Sequence, residues 1–204
     1  MIKVLNLYSG LGGNRKLWEN VDVTAVEDNP EIAAIYQDFF LDDTVIVGDA
    51  HQYLLEHYND GWDFIWASPP CPSHSDIRRC GVHHGQYKAL YPDMSLYQEI
   101  ILLQNFVKCR YTVENVKPYY MPLIPAQEVS RHLFWSNFYI NTKEIKTNKN
   151  INAIDGTYPG EVYGFNIDKY NIENRRKILR NMVNPKLGKA IFDAAFKNIQ
   201  LELI

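Results

Sequence analysis

Apolar residues in the first third of the chain fall in short runs that alternate with segments of helical period. Ile2-Lys3-Val4-Leu5-Asn6-Leu7 reads as a strand, and Ser9-Gly10-Leu11-Gly12-Gly13 as the turn that ends it. A helix is expected from about Asn14 to Glu19, followed by a strand over Val23-Thr24-Ala25-Val26-Glu27. Pro30 suits a first helical turn, and Ile32, Ile35, Tyr36 and Phe39 share one face of a helix running from Glu31 to Phe40. Val45-Ile46-Val47 gives a third strand, and a helix follows near Gln52–His57. Asp63-Phe64-Ile65-Trp66-Ala67 is a nearly unbroken apolar run of the kind buried on both faces of a parallel sheet. Strands separated by helices at this spacing predict an α/β fold.

After Ala67 the pattern loosens. A polar loop is expected from Ser68 to Asp93, an amphipathic helix near Ser95–Val107, and a strand at Tyr111-Thr112-Val113. Leu133-Phe134-Trp135 and Phe138-Tyr139-Ile140 are candidates for further strands. From Asn141 to Glu173 the sequence turns polar and rich in Asn, Lys and Gly, which marks an inserted or appended segment. Helical period resumes from Asn184 to Phe196, with Leu187, Ile191, Ala194 and Ala195 as its buried face. The organisation expected is a core over 1–140, a small appended segment over 141–173, and a helix within 174–204 that returns to the core.

Composition changes this picture little. With 204 residues, 46% of them hydrophobic, the chain suffices for one core, which argues against a full second domain. The opening stretch is too short for a signal peptide and no apolar run approaches the ~20 residues of a membrane span. A soluble protein of the cytoplasm, in a prokaryotic or phage-infected cell, is expected. Cys71, Cys80 and Cys109 form no CxxC pair, and their odd number fits a reducing compartment. The net charge of -3 hides an uneven distribution: residues 1–76 carry 3 basic and 13 acidic groups, leaving a surplus of positive charge for residues 77–204. Contact with phosphates is therefore plausible through the second part only, although ordinary solvated surface would look the same.

The candidate chemistry lies where strands end. In Ser9-Gly10-Leu11-Gly12-Gly13, glycine lets backbone amides approach a ligand, but the spacing is not the GxGxxG of a dinucleotide site, which disfavours NAD. Glu27 could accept hydrogen bonds from a ribose diol and Asp49 one from an adenine amine; each alone is more often a solvated strand end or helix cap. Ser68-Pro69-Pro70-Cys71-Pro72 fixes the backbone around a cysteine at the end of a buried strand, with Arg78 and Arg79 in the same loop as candidate activators of a thiolate. A buried inert cysteine is the competing reading. Cys71-x2-His74 and Cys80-x2-His83 offer four metal ligands, but the gap between the pairs is shorter than zinc fingers use, so no metal is expected. Glu114, ending the next strand, would face Cys71 across a doubly wound sheet edge. A thiol and a carboxylic acid there suit attack on a pyrimidine at C6 with N3 held by the acid.

Taken in order, these stretches resemble the DNA (cytosine-5) methyltransferase family through nearly the whole chain. Leu7-Tyr8-Ser9-Gly10-Leu11-Gly12-Gly13 is similar to its first S-adenosylmethionine (SAM) motif, Pro69-Pro70-Cys71 to its catalytic Pro-Cys, and Glu114-Asn115-Val116 to its Glu-Asn-Val. Arg131-His132-Leu133-Phe134-Trp135 is similar to its Arg-containing cytosine-contact motif, and Arg180-Asn181-Met182-Val183 to its late Gly-Asn-x-Val. The resemblance implies a Rossmann-like, doubly wound α/β fold with a mostly parallel sheet and a small appended recognition segment. It implies SAM as methyl donor, yielding S-adenosylhomocysteine, with contacts from Tyr8, Ser9, Gly10, Gly12, Gly13, Glu27, Asp28, Asp49, Ala50, Pro69, Asn181 and Val183.

The same resemblance implies a flipped cytosine in double-stranded DNA, Cys71 as nucleophile, Glu114 as the group on N3 and Arg131 as an orienting group. Ser73, Ser75, Arg78, Arg79 and His132 would contact the nucleic acid. A restriction-modification or phage DNA-modification setting would follow, and a homodimer would extend the short recognition segment. The chain departs from the family at Asn6, where Asp is usual, at His132 in an incomplete Gln-x-Arg-x-Arg, and at Arg180, where Gly is usual. A tRNA cytosine-5 methyltransferase and an inactive SAM-fold protein that binds DNA or a partner remain the alternatives.

Overall fold

A computed structural model of the chain describes residues 1–141 and 163–197. Strands β1 (Ile2–Leu7) and β4 (Phe64–Ala67) lie at the centre of a seven-stranded sheet, buried on both faces, which is why neither shows hydrophobic alternation. Parallel strands β2 (Val21–Glu27) and β3 (Thr44–Val47) continue the sheet beyond β1, and β5 (Arg110–Val116) continues it beyond β4. The far edge is antiparallel: β7 (His132–Ser136) pairs with β5, and β6 (Gln127–Val129) with β7. The order β3-β2-β1-β4-β5-β7-β6 puts the reversal of strand order between β1 and β4, where a doubly wound sheet opens a crevice at the carboxyl ends of its strands.

Helices cover both faces. Leu5, Leu7, Ile65, Ala67 and Val113 point one way, against Ala50 and Leu54 of α2 (Ala50–His57) and Leu96, Ile100 and Leu103 of α4 (Ser95–Phe106). Val4, Val23, Ala25, Phe64, Trp66 and Phe134 point the other way, against Tyr36 of α1 (Pro30–Phe39) and Leu187, Ile191 and Phe192 of a helix at the end of the chain. Period-two alternation along each strand thus feeds two cores. Short helices α3 (Asp76–His83) and α5 (Arg175–Arg180) precede that last helix, α6 (Pro185–Lys197).

Several expectations are corrected. Residues 14–17 form turns and 18–19 no regular structure, so the expected helix is absent there. Six residues cannot sustain a helix unaided, and here the side chains serve tertiary contacts: Asn14 Nδ2 donates to Asn6 Oδ1 at 2.7 Å, Arg15 pairs with Asp43, and Trp18 Nε1 donates to Gly188 O of α6. The expected loop after β4 contains α3. Phe138 and Ile140 are buried but not in a strand, because the Gln127 side chain takes the place of a strand partner, donating to Phe138 O and accepting from Ile140 N, both at 2.8 Å. In the polar stretch, Phe165 and Ile167 are fully buried beside Ile35 and Leu179, so this end of it packs on α1. The rest of the appended segment, 142–162, and the last residues, 198–204, lie outside the described residues. Among the described residues no helix is long and apolar enough to cross a membrane.

Candidate active site

The turn after β1 is built for close approach. Tyr8, Gly10 and Gly12 have φ of 56°, 53° and 77°, and Ser9 N donates to Val26 O at 3.0 Å, which holds the turn against β2. Open space surrounds the position a Gly10 side chain would take. The Gly10 amide donates to Glu27 Oε2 at 2.9 Å and the Asn29 amide to Glu27 Oε1 at 3.3 Å. Burial pushes the Glu27 carboxyl up to about 7 despite these two donors. Ser9 Oγ is buried without a partner. Gly13 presses on the backbone of Val183, so the late Asn181-Met182-Val183 segment folds back onto this turn; Asn181 itself is exposed. Asp28 is exposed at the end of β2. Asp49 caps α2, its Oδ1 accepting from His51 N at 2.8 Å and Gln52 N at 3.2 Å, and Ala50 is the buried first residue of that helix.

The second loop follows β4. Ser68 N reaches Leu7 O, and Asn115 Nδ2, fully buried on β5, donates to Pro69 O at 3.0 Å. This bond fixes Pro69-Pro70-Cys71 to the strand that carries Glu114. The Cys71 carbonyl accepts from His74 N and Ser75 N, and Ser73 Oγ accepts from Asp93 N, closing the loop on itself. His74 is buried with Nδ1 2.6 Å from Tyr120 Oη. Among the described residues no three His, Cys, Asp or Glu side chains gather as a metal-ligand group.

Burial pushes the Cys71 thiol up, and the negative charge of Glu114 adds to the effect; Lys177 and Arg131 oppose it. Arg78 and Arg79, the activators expected from sequence, are engaged elsewhere. Arg78 lies over the Tyr87 ring and donates to Lys88 O, while Arg79 pairs with Asp76. The helix α3 sets them there, beside Ser75 at its start, and the loop reading lacked it. Lys177, on α5, was missed by sequence reasoning, although the basic run Arg175-Arg176-Lys177 just before Asn181 was a signal for it.

Glu114 and His132 share one sheet face, since Glu114 pairs with Phe134 and His132 lies two residues away. His132 Nε2 is 3.5 Å from Glu114 Oε1, and its buried Nδ1 has no partner. Burial holds the imidazole below its usual range, with Arg131 adding to this and Glu114 opposing. Arg131 is exposed in the turn between β6 and β7, next to Ser130 at φ 58°. Of the two neighbours, the histidine ring therefore faces the carboxylate, and the arginine acts there as a nearby charge.

One consequence is measurable without substrate. Because its titration is raised, Cys71 should be alkylated by iodoacetamide with a pH midpoint above that of an unperturbed thiol, read at this residue by mass spectrometry. Glu114→Gln removes a negative charge that disfavours the thiolate and should lower the midpoint. An unmoved midpoint would mean that the two groups do not face each other.

The chain matches a family model described as C-5 cytosine-specific DNA methylase over residues 2–117. Among solved structures it is similar to a DNMT2 variant of Spodoptera frugiperda, with 25% identity over 57% of this chain and 36% of that one and a TM-score of 0.39. It is similar to the Dnmt2 methyltransferase of S. pombe with 20% identity, 56% and 34% coverage and a TM-score of 0.42. A third is the plantazolicin methyltransferase BamL in complex with SAH, with 11% identity, 56% and 38% coverage and a TM-score of 0.34. The chain covers under two fifths of each of these three. No match was found among curated proteins.

Proposed function

The chain belongs to the C-5 cytosine-specific DNA methylase family, whose methylation depends on SAM, and on that premise we propose that it methylates C5 of a flipped cytosine in double-stranded DNA through a covalent bond from Cys71 to C6. The observation that carries the reading is the Asn115–Pro69 bond, which ties the Cys71 loop to the strand bearing Glu114 beside the glycine turn.

The residues at that turn suit SAM. Ser9 Oγ lacks a partner, Gly10 leaves open space, and Glu27 and Asp49 present carboxylates at neighbouring strand ends. The cofactor, when bound, supplies an electrophilic methyl group. Cys71 as thiolate forms a bond to C6, and the electron pair of the C5–C6 double bond moves to C5. Glu114 would hold N3 and so help spread the negative charge that develops in the ring. After C5 takes the methyl group, loss of the C5 proton to solvent and departure of Cys71 sulfur restore the double bond. Neutral His132, 3.5 Å from Glu114, would help hold the base, and Arg131 would lend its charge nearby. Extrusion of the base is required because C5 and C6 are stacked inside a duplex. Arg78 and Arg79, in the part of the chain with excess positive charge, would meet the phosphates together with Ser73 and Ser75 just before it, and 141–173 would contribute base reading limited to a few pairs.

Bisulfite sequencing of DNA from cells expressing the protein should show methylcytosine in one defined sequence context. Labelled SAM offered with duplex DNA or tRNA separates the alternatives: label in tRNA alone overturns the DNA reading, and label in neither favours a SAM-fold binding protein.

A further inference from the structure

Glu99 lies outside the machinery described so far, yet it touches two sides of the cofactor site. It sits on α4 with 1% of its surface exposed. Its Oε1 accepts from the Tyr8 hydroxyl and lies 2.9 Å from His51 Nδ1, while its Oε2 is buried without a partner. Tyr8 opens the glycine turn, and His51 stands in the first turn of α2, where its own amide is held by Asp49.

We infer that Glu99 is a positioning residue for SAM: through one carboxylate oxygen it ties Tyr8 of the glycine turn to His51 of α2 and so holds the two sides of the cofactor site in register.

Three observations support this. Tyr8 has a left-handed backbone that side-chain-bearing residues seldom adopt, and its hydroxyl bond to a buried acceptor is an anchor that keeps the turn in that form. Ser9 and Gly10 follow directly, so the placement of Ser9 Oγ and of the Gly10–Glu27 bond depends on it. Second, stability does not call for a carboxylate at this position. Its helix neighbours Leu96, Ile100 and Leu103 are buried and apolar, and an interior carboxylate with one unmet oxygen is costly compared with an apolar residue. Third, the bond to Glu99 raises the His51 imidazole above its usual range, with the carboxylates of Asp49 and Asp93 adding to the effect. A cationic imidazole on Glu99 strengthens the same tie.

The inference rests on SAM dependence and not on the nucleic-acid substrate, so it is tested by SAM affinity in calorimetry with the full chain and no DNA. Glu99→Gln, Tyr8→Phe and His51→Gln are each expected to weaken SAM binding by roughly tenfold, the effect of losing a hydrogen bond to a charged group. At saturating SAM, Glu99→Gln should keep kcat within about twofold, since the residue acts on binding and not on the reacting atoms. The Glu99→Gln/Tyr8→Phe double variant should bind no more weakly than about the weaker single one, because both remove the same tie. Unchanged SAM affinity in Tyr8→Phe, which removes a single oxygen, would overturn the inference. So would losses that multiply in the double variant, or a fall in kcat at saturating SAM for Glu99→Gln.

Discussion

Cys71→Ala is expected to lower methyl transfer by at least about 10³-fold while leaving SAM affinity and the unfolding midpoint close to those of the unaltered chain. The size follows from the role proposed for the sulfur. Without a bond to C6 the C5 position is not nucleophilic, and among the described residues His74 is committed to Tyr120 and the carboxylate of Glu114 faces His132, so neither replaces that bond. The small structural cost follows from how the loop is held. Its conformation is set by the Asn115 amide on Pro69 O and by the Cys71 carbonyl accepting from His74 and Ser75, none of which involves the thiol. Transfer of label from SAM, calorimetry with SAM and thermal unfolding together give the three readouts. Methyl transfer that persists in the variant would contradict the covalent mechanism, and a large drop in the unfolding midpoint would assign the cysteine to packing instead.

Gly13→Ala is expected to destabilise the fold by about 2–4 kcal/mol and to weaken SAM binding by roughly tenfold or more. A methyl group at this position would stand 2.4 Å from Val183 O and 3.3 Å from Val183 N. Both are backbone atoms, so no side-chain rotation relieves the clash. Val183 is not free to retreat, because Met182 before it is buried with Leu11 and Leu179, and Gly188 after it meets the backbone of Asn14 with equally little room. The chain would have to part between the glycine turn and the returning segment. Gly10→Ala provides the contrast: nothing lies within 4 Å of the added carbon, and the only cost is its φ of 53°, about 1–2 kcal/mol. Chemical unfolding of both variants separates close packing from backbone preference. Equal stabilities would show that the approach of Val183 is not what holds Gly13.

The two glycines also illustrate what a sequence conveys. That Gly10 and Gly12 open a turn follows from their place at the end of a strand, and both have positive φ. That Gly13 is required by a segment some 170 residues later is nowhere in the local pattern. The same division runs through the site. The central strands β1 and β4 were legible because burial on both faces leaves an apolar run, and α1, α2, α4 and α6 because each buries one stripe. Residues 14–19 were read as helix because six residues with no strong breaker resemble one, while their side-chain hydrogen bonds go to Asn6, Asp43 and α6. Strand β6 is three residues long, too short for any period to show.

Sequence alone determined the alternation of strands and helices, the chemical groups available and their order along the chain, since hydrophobic period and residue type are local properties. Which groups meet was decided by the tertiary structure. The sheet order brings the ends of β1, β4 and β5 to one edge, β7 sets His132 beside Glu114 while Arg131 stays in the turn before it, and α5 brings Lys177 instead of Arg78 or Arg79 close enough to Cys71 for its charge to be felt. Electrostatic influence falls with distance in space and not along the chain, so only the folded arrangement could say which cation matters to the thiol.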